Sequence, residues 1–160
     1  MSSLFVGFTY SSVEDYLVQT MNFSEKQLTG LYATWPNDQL DLSTSRLFFD
    51  QAVGTFILTM VIFAVTDSRN AMGNLAPIVI GLSACIVGLS YGVNGGAAIN
   101  PARDFGPRLY ALYTFGNVAF DSFFIIPLIA PIFGAIFAAI IYSIFISAHH
   151  EAKYETVELK

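Results

Sequence analysis

Charge is scarce in this chain and cysteine nearly missing. Only 12% of its 160 residues are Asp, Glu, Lys or Arg, against 54% hydrophobic, whereas ordinary soluble domains carry about 25% charged residues. With the apolar residues gathered into long runs, that balance argues for an integral membrane protein. Seven basic residues against twelve acidic ones give a net charge of -5. No basic patch for nucleic acid or anionic lipid is expected from that balance. Cys85 is the single cysteine, which excludes an intrachain disulfide and a cysteine metal site; inside an apolar run it is expected to be a small buried packing residue. His149 and His150 end the last apolar run with no third ligand nearby, so they read as interfacial residues rather than metal ligands. There is no nucleophile–base pair, no metal-ligand cluster and no phosphate-cradling loop, so neither an enzyme nor a cofactor is expected. The N-terminus does not read as a signal peptide: it lacks a basic opening, and the apolar stretch Leu4 to Phe8 is broken by Tyr10, Ser11, Ser12, Glu14 and Asp15.

What is present is a set of runs long enough to cross a hydrocarbon layer of roughly 30 Å. They lie at about Leu47 to Val65, Leu75 to Val93 and Asp121 to Ala148, and predict an all-α transmembrane fold. Gly81, Cys85, Gly88 and Gly92 share one stripe of the second span, and Pro127, Pro131, Gly134 and Ala138 punctuate the third. Small side chains at such spacing let membrane helices approach closely, so packing is expected of both sets. Residues 21–45 read as a polar loop turning at Gly30, Pro36, Asn37 and Asp38, with a glycosylation sequon at Asn22-Phe23-Ser24.

The stretch Gly92 to Tyr110 lies between the second and third spans. Its glycines permit an irregular path, and Pro101 suits the first turn of a helix starting near Asn100. That helix, about Pro101 to Leu112, is too short to span. With its N-terminus at mid-membrane, free N–H groups, the Asn100 amide and the Arg103 guanidinium would face whatever occupies the centre. Irregular backbone at that depth is tolerated only against protein or a water-filled cavity, so the chemistry is that of a pore lining.

Asn100-Pro101-Ala102-Arg103-Asp104, followed by Phe105, Gly106, Pro107 and Arg108 and bracketed by spans, resembles the second signature loop of the major intrinsic proteins, in the aquaglyceroporin branch. Tyr32-Ala33-Thr34-Trp35-Pro36 resembles part of that family's long external loop, and Phe48-Phe49-Asp50-Gln51 the branch's form of the next span. The resemblance implies that the chain is the second inverted repeat of an aquaporin-like fold: three full spans, a re-entrant half-helix and an N-terminal stub of a further helix. Residues 1–20 would then be the remnant of a membrane helix, 21–45 an external loop, 46–148 the half-domain and 149–160 a cytoplasmic tail.

The resemblance also assigns roles. Asn100, Pro101, Ala102 and Arg103 line the pore, while Gly88 and Ala97 take constriction positions where small side chains widen the passage. Gln51 either supports the signature loop or is an interfacial amide that finds water. Asp104 anchors the loop, being stabilised near the helix N-terminus and by adjacent basic side chains. Asp104, Arg108, Pro127 and Leu128 mark the glycerol-conducting branch. The implied function is passive conduction of glycerol, other small polyols and water, with urea a further permeant, in a homotetramer in the plasma membrane. Because the first repeat is absent, two expectations stand side by side: a channel whose sequence is a piece of a longer chain, and a truncated membrane protein that does not conduct and associates with full-length subunits.

Overall fold

A computed structural model describes residues 13–70 and 72–149. The predicted helix remnant at 1–20 and tail at 149–160 lie mostly outside them. Residues 13–21 are helical (α1), and the short α2 (Glu25–Thr29) follows in the stretch expected to be loop. Ser24 starts α2 with a reciprocal cap: its hydroxyl accepts from Gln27 N–H while the Gln27 side chain accepts from Ser24 N–H, which satisfies two otherwise orphaned donors. The chain then runs irregularly to Ser43, whose hydroxyl accepts from Arg46 N–H and opens α3 (Thr44–Thr66). A short 3-10 turn precedes α4 (Ala76–Gly95), α5 is Pro101–Phe115, and α6 is Ile125–Phe145 with 3-10 turns at both ends. Among the described residues there is no strand.

Three segments built on α3, α4 and α6 are long and apolar enough to cross a membrane. The fold is thus all-α and transmembrane. At 15 residues, α5 reaches only about 22 Å, short of a bilayer core. It ends three residues beyond the expected Leu112, because nothing interrupts it before Gly116, which takes a positive φ of 70°.

α3 lies between α4 and α6. Toward α6, Phe48 meets Phe133, Phe56 meets Phe137 and Phe63 meets Tyr142 at ring separations of 5.8, 5.6 and 5.4 Å. Such ring pairs add to the area they bury. Between them Gly134 lies so close to α3 that a Cβ there would overlap the Ala52 carbonyl, and Ala138 is fully buried. The close-packing expectation for this pair therefore holds. Toward α4, Gly54 gives room to Val87, Tyr91 and Ile99. A small core of Leu47, Phe123, Ile126 and Ala130 closes the end nearest the loops.

The stripe on α4 behaves differently from its expectation. A Cβ on Gly81 or Gly88 would meet nothing within 4 Å, and Cys85 is exposed rather than buried. Only 6% of the apolar window of this segment is buried, against 33% for α6. Gly81 and Cys85 face outward because α3 contacts α4 along the Val87 and Tyr91 side, about 80° or more around the helix from them at 100° per residue.

Candidate functional site

The end of α4, the segment from Gly96 to Asn100 and the start of α5 form one side of a groove. Its volume is about 750 Å³, and the other walls are Thr55, Leu58, Thr59 and Ile62 of α3, Ala84 and Gly88 of α4, and Pro131, Ile132 and Ala135 of α6. Thr55, Ala84 and Ala135 sit near the midpoints of their helices. The N-terminus of α5 therefore opens into the same groove as the middle of each span.

The local sequence dictates the turn. Gly96 adopts φ 79° and caps α4, and Ala97 also takes a positive φ, 49°. Such values are costly for residues with a Cβ. Asn100 then caps α5 in an extended conformation. Its Oδ1 accepts from Ala102 N–H at 3.0 Å and from Arg103 N–H at 3.2 Å. The amide oxygen is thus committed to the helix, and the Nδ2 donors are left for the groove. Among the described residues, neither Asn100 Nδ2 nor the Arg103 guanidinium has a hydrogen-bond or ion-pair partner. Both residues are exposed to the groove they line.

Five of the residues expected to line the passage, Gly88, Ala97, Asn100, Pro101 and Arg103, meet in this groove. Ala102 does not. It contributes its N–H to the Asn100 cap. Pro127 is fully buried and Leu128 half-buried in α6, and neither lines the groove.

Gln51 is fully buried, so the interfacial reading fails. Its Nε2 lies where a Cβ on Gly95 would touch it, but donates to Asp50 Oδ2 at 2.8 Å rather than to a loop carbonyl. Its Oε1 is buried without a partner among the described residues. The bond that joins α3 to the start of the loop comes from its neighbour: Asn94 Nδ2 donates to Asp50 Oδ1 at 2.8 Å.

Asp104 and Arg108 form a fully buried pair, with Nε 2.6 Å from Oδ2. Arg103, the adjacent base in sequence, takes no part. The other carboxylate oxygen accepts from both the N–H and the hydroxyl of Thr34. Arg108 completes its fork by donating to the carbonyls of Ala119 and Thr34, and its guanidinium lies 4.8 Å from the centre of the Trp35 ring. Every charge here is neutralised and hydrogen-bonded, the condition under which a buried pair is tolerated. Thr34 also packs so tightly on Gly96 that a Cβ there would come within 2.9 Å of Thr34 Cβ. Asn37 adds a backbone bond to the Asn94 carbonyl at 2.8 Å and a side-chain bond to the Val93 carbonyl at 3.1 Å. The sequence marked Thr34 only within the external-loop resemblance and Asn37 only as a turn residue; their hold on the groove's edge was not expected, because it rests on side-chain bonds spanning 56 to 74 residues.

Comparison with known proteins fits this geometry. The family model described as major intrinsic protein matches residues 6–142. Aquaglyceroporin-2 of Rhizophagus irregularis is 42% identical over 107 residues, 63% of this chain and 33% of the relative. Aquaporin-9 of Homo sapiens is 41% identical over 132 residues, 79% and 44%. The glycerol uptake facilitator protein of Escherichia coli (strain K12) is 41% identical over 109 residues, 63% and 38%. The chain thus spans a third to a little under half the length of these curated relatives. Among solved structures, the aquaglyceroporin from Plasmodium falciparum superposes with a TM-score of 0.72 at 25% identity, over 91% of this chain and 60% of that one.

Proposed function

The chain belongs to the major intrinsic protein family, and from that premise we propose that it serves passive conduction of glycerol, other small polyols and water across a membrane. The observation that carries the proposal is the pairing of Asn100 Nδ2 and the Arg103 guanidinium, both without partners among the described residues, in a groove otherwise walled largely by apolar side chains. A polyol entering it exchanges its hydration shell for those donors, while Leu58, Ile62 and Ile132 face its carbon backbone. Gly88 and Ala97 leave the passage wide beside them. The Arg103 charge and the positive end of α5 repel cations and oppose proton transfer along a file of water. No bond is made or broken.

The names of the relatives support glycerol and water as permeants. Urea, a plasma-membrane location and a homotetramer belong to the same proposal as extensions of the resemblance. So do the external placement of residues 21–45 and the supporting or diagnostic roles of Gln51, Asp104, Arg108, Pro127 and Leu128.

A second reading has the chain non-conducting alone and active only in association with full-length channel subunits. It is favoured by the scant burial of α4, since a conducting passage needs a wall on every side. Swelling of vesicles holding the purified chain, in glycerol and in water gradients, separates the two. Flux above that of empty vesicles is the expected result. Flux equal to theirs moves the proposal to the second reading.

A further inference from the structure

We infer that the segment Thr34 to Asn37, clamped by the buried Asp104–Arg108 pair, is the template that shapes the groove's polar edge, with Thr34 and Arg108 as positioning residues for Asn100 and Arg103. The inference rests on the conduction proposal only for its consequence, not for its geometry. Residues 96–100 form no helix, and their path includes positive φ at Gly96 and Ala97. Local bonds hold only its two ends, Gly96 N–H on the Gly92 carbonyl and the Asn100 cap of α5. The other restraints come from outside it: Asn37 binds the carbonyls of Val93 and Asn94, Thr34 covers Gly96, and Asp50 holds the Asn94 side chain.

Thr34 is the hub, because each of its polar groups is used and all three lead to α5. Its N–H and hydroxyl bind Asp104, and its carbonyl accepts from Arg108. Asp104 directly follows Arg103, so the rotation and depth of the first turn of α5 are set against a segment some 70 residues away in sequence. Arg108 contacts no part of the groove. It acts through Asp104, Thr34 and the ring of Trp35, and Lys26, itself paired with Asp38 at 3.2 Å, also lies near that ring, 5.6 Å from its centre.

Hydrogen exchange of the chain in lipid nanodiscs, read by mass spectrometry, tests this directly. Thr34→Val keeps the shape against Gly96 and removes only the hydroxyl donor. Arg108→Gln removes the charge and most of the fork. Losing one charge-assisted hydrogen bond predicts exchange about tenfold faster at the amides of residues 94–104 in Thr34→Val, and faster still in Arg108→Gln, with α3 and α6 unchanged. Unaltered exchange at 94–104, or a rise shared equally by α3 and α6, overturns the inference, since the second result means general loosening. Should Arg108→Gln fail to insert, Thr34→Val alone decides. Exchange needs no transport, so a chain that does not swell vesicles refutes conduction by itself and leaves this test standing. In a conducting chain the ratio of glycerol to water flux must also move in Thr34→Val, and both fluxes scaling together would count against the inference.

Discussion

Gly96 bears two demands that no other residue type meets together. Its φ of 79° lies where L side chains are strained, and Thr34 occupies the space a Cβ would take. Gly96→Ala therefore costs about 1–2 kcal/mol for the left-handed backbone alone, plus the displacement of Thr34 from the clasp. A fall in thermal stability in detergent, together with faster exchange at 94–104, is the expected outcome, and a variant as stable as the parent would contradict it. Gly88 presents the opposite case. A Cβ there meets open space, yet the residue lines the groove, so a larger side chain should be accepted by the fold and felt by the permeant. Gly88→His is expected to insert normally and, in vesicles where the parent conducts, to cut glycerol flux by at least about tenfold, equivalent to roughly 1.4 kcal/mol of added barrier. Water, being smaller, should lose less. Equal loss of both would point to misfolding rather than narrowing. The pairing of Asp104 with Arg108 shows why these positions differ from ordinary surface charges: each is fully buried, and removal of either strands the other at about 3–5 kcal/mol.

Among the elements, those with local signatures were legible and those set by distant contacts were not. The three spans announce themselves by long, predominantly apolar runs, and α5 by Asn100 as its cap followed by Pro101. α2 was readable too: Ser24-Glu25-Lys26-Gln27 carries the capping-box spacing, overshadowed by the turn residues around it. The small-residue stripes show where pattern alone fails. Gly134 with Ala138 and Gly81 with Cys85 have the same four-residue spacing, yet one meets α3 and the other faces outward, because spacing identifies a smooth face and not what covers it. The two glycines accordingly give opposite outcomes. Gly134→Ala forces α6 away from the Ala52 carbonyl and is expected to cost about 1–3 kcal/mol, as overpacking does. Gly81→Ala meets nothing and gains helix propensity of up to about 1 kcal/mol. Thermal unfolding of both in the same detergent checks the pair, and a similar loss in each would mean that the α4 face is covered in the detergent-solubilised chain.

At the scale of the whole molecule, the groove that gathers Asn100 and Arg103 opens beside the least buried of the three spans. α4 turns Ile78, Leu82, Ile86, Leu89 and Val93 outward, each at least 59% exposed. In water such a surface would drive aggregation, but in a bilayer lipid tails cover it without penalty, so apolar area alone does not decide whether lipid or protein lies there. Cys85 sits on this outward side and is the single cysteine of the chain, so a nitroxide can be attached there with no substitution elsewhere. Oxygen concentrates in the hydrocarbon layer and a nickel chelate in water, and a surface covered by protein is shielded from both. For the chain reconstituted alone, oxygen should dominate the relaxation of the label. On mixing with full-length aquaglyceroporin subunits, collision with both reagents should fall if the chain acts by association, and stay unchanged if it conducts unaided. A nickel-dominated signal in the chain alone would mean that water reaches around α4, which the outward apolar row does not allow.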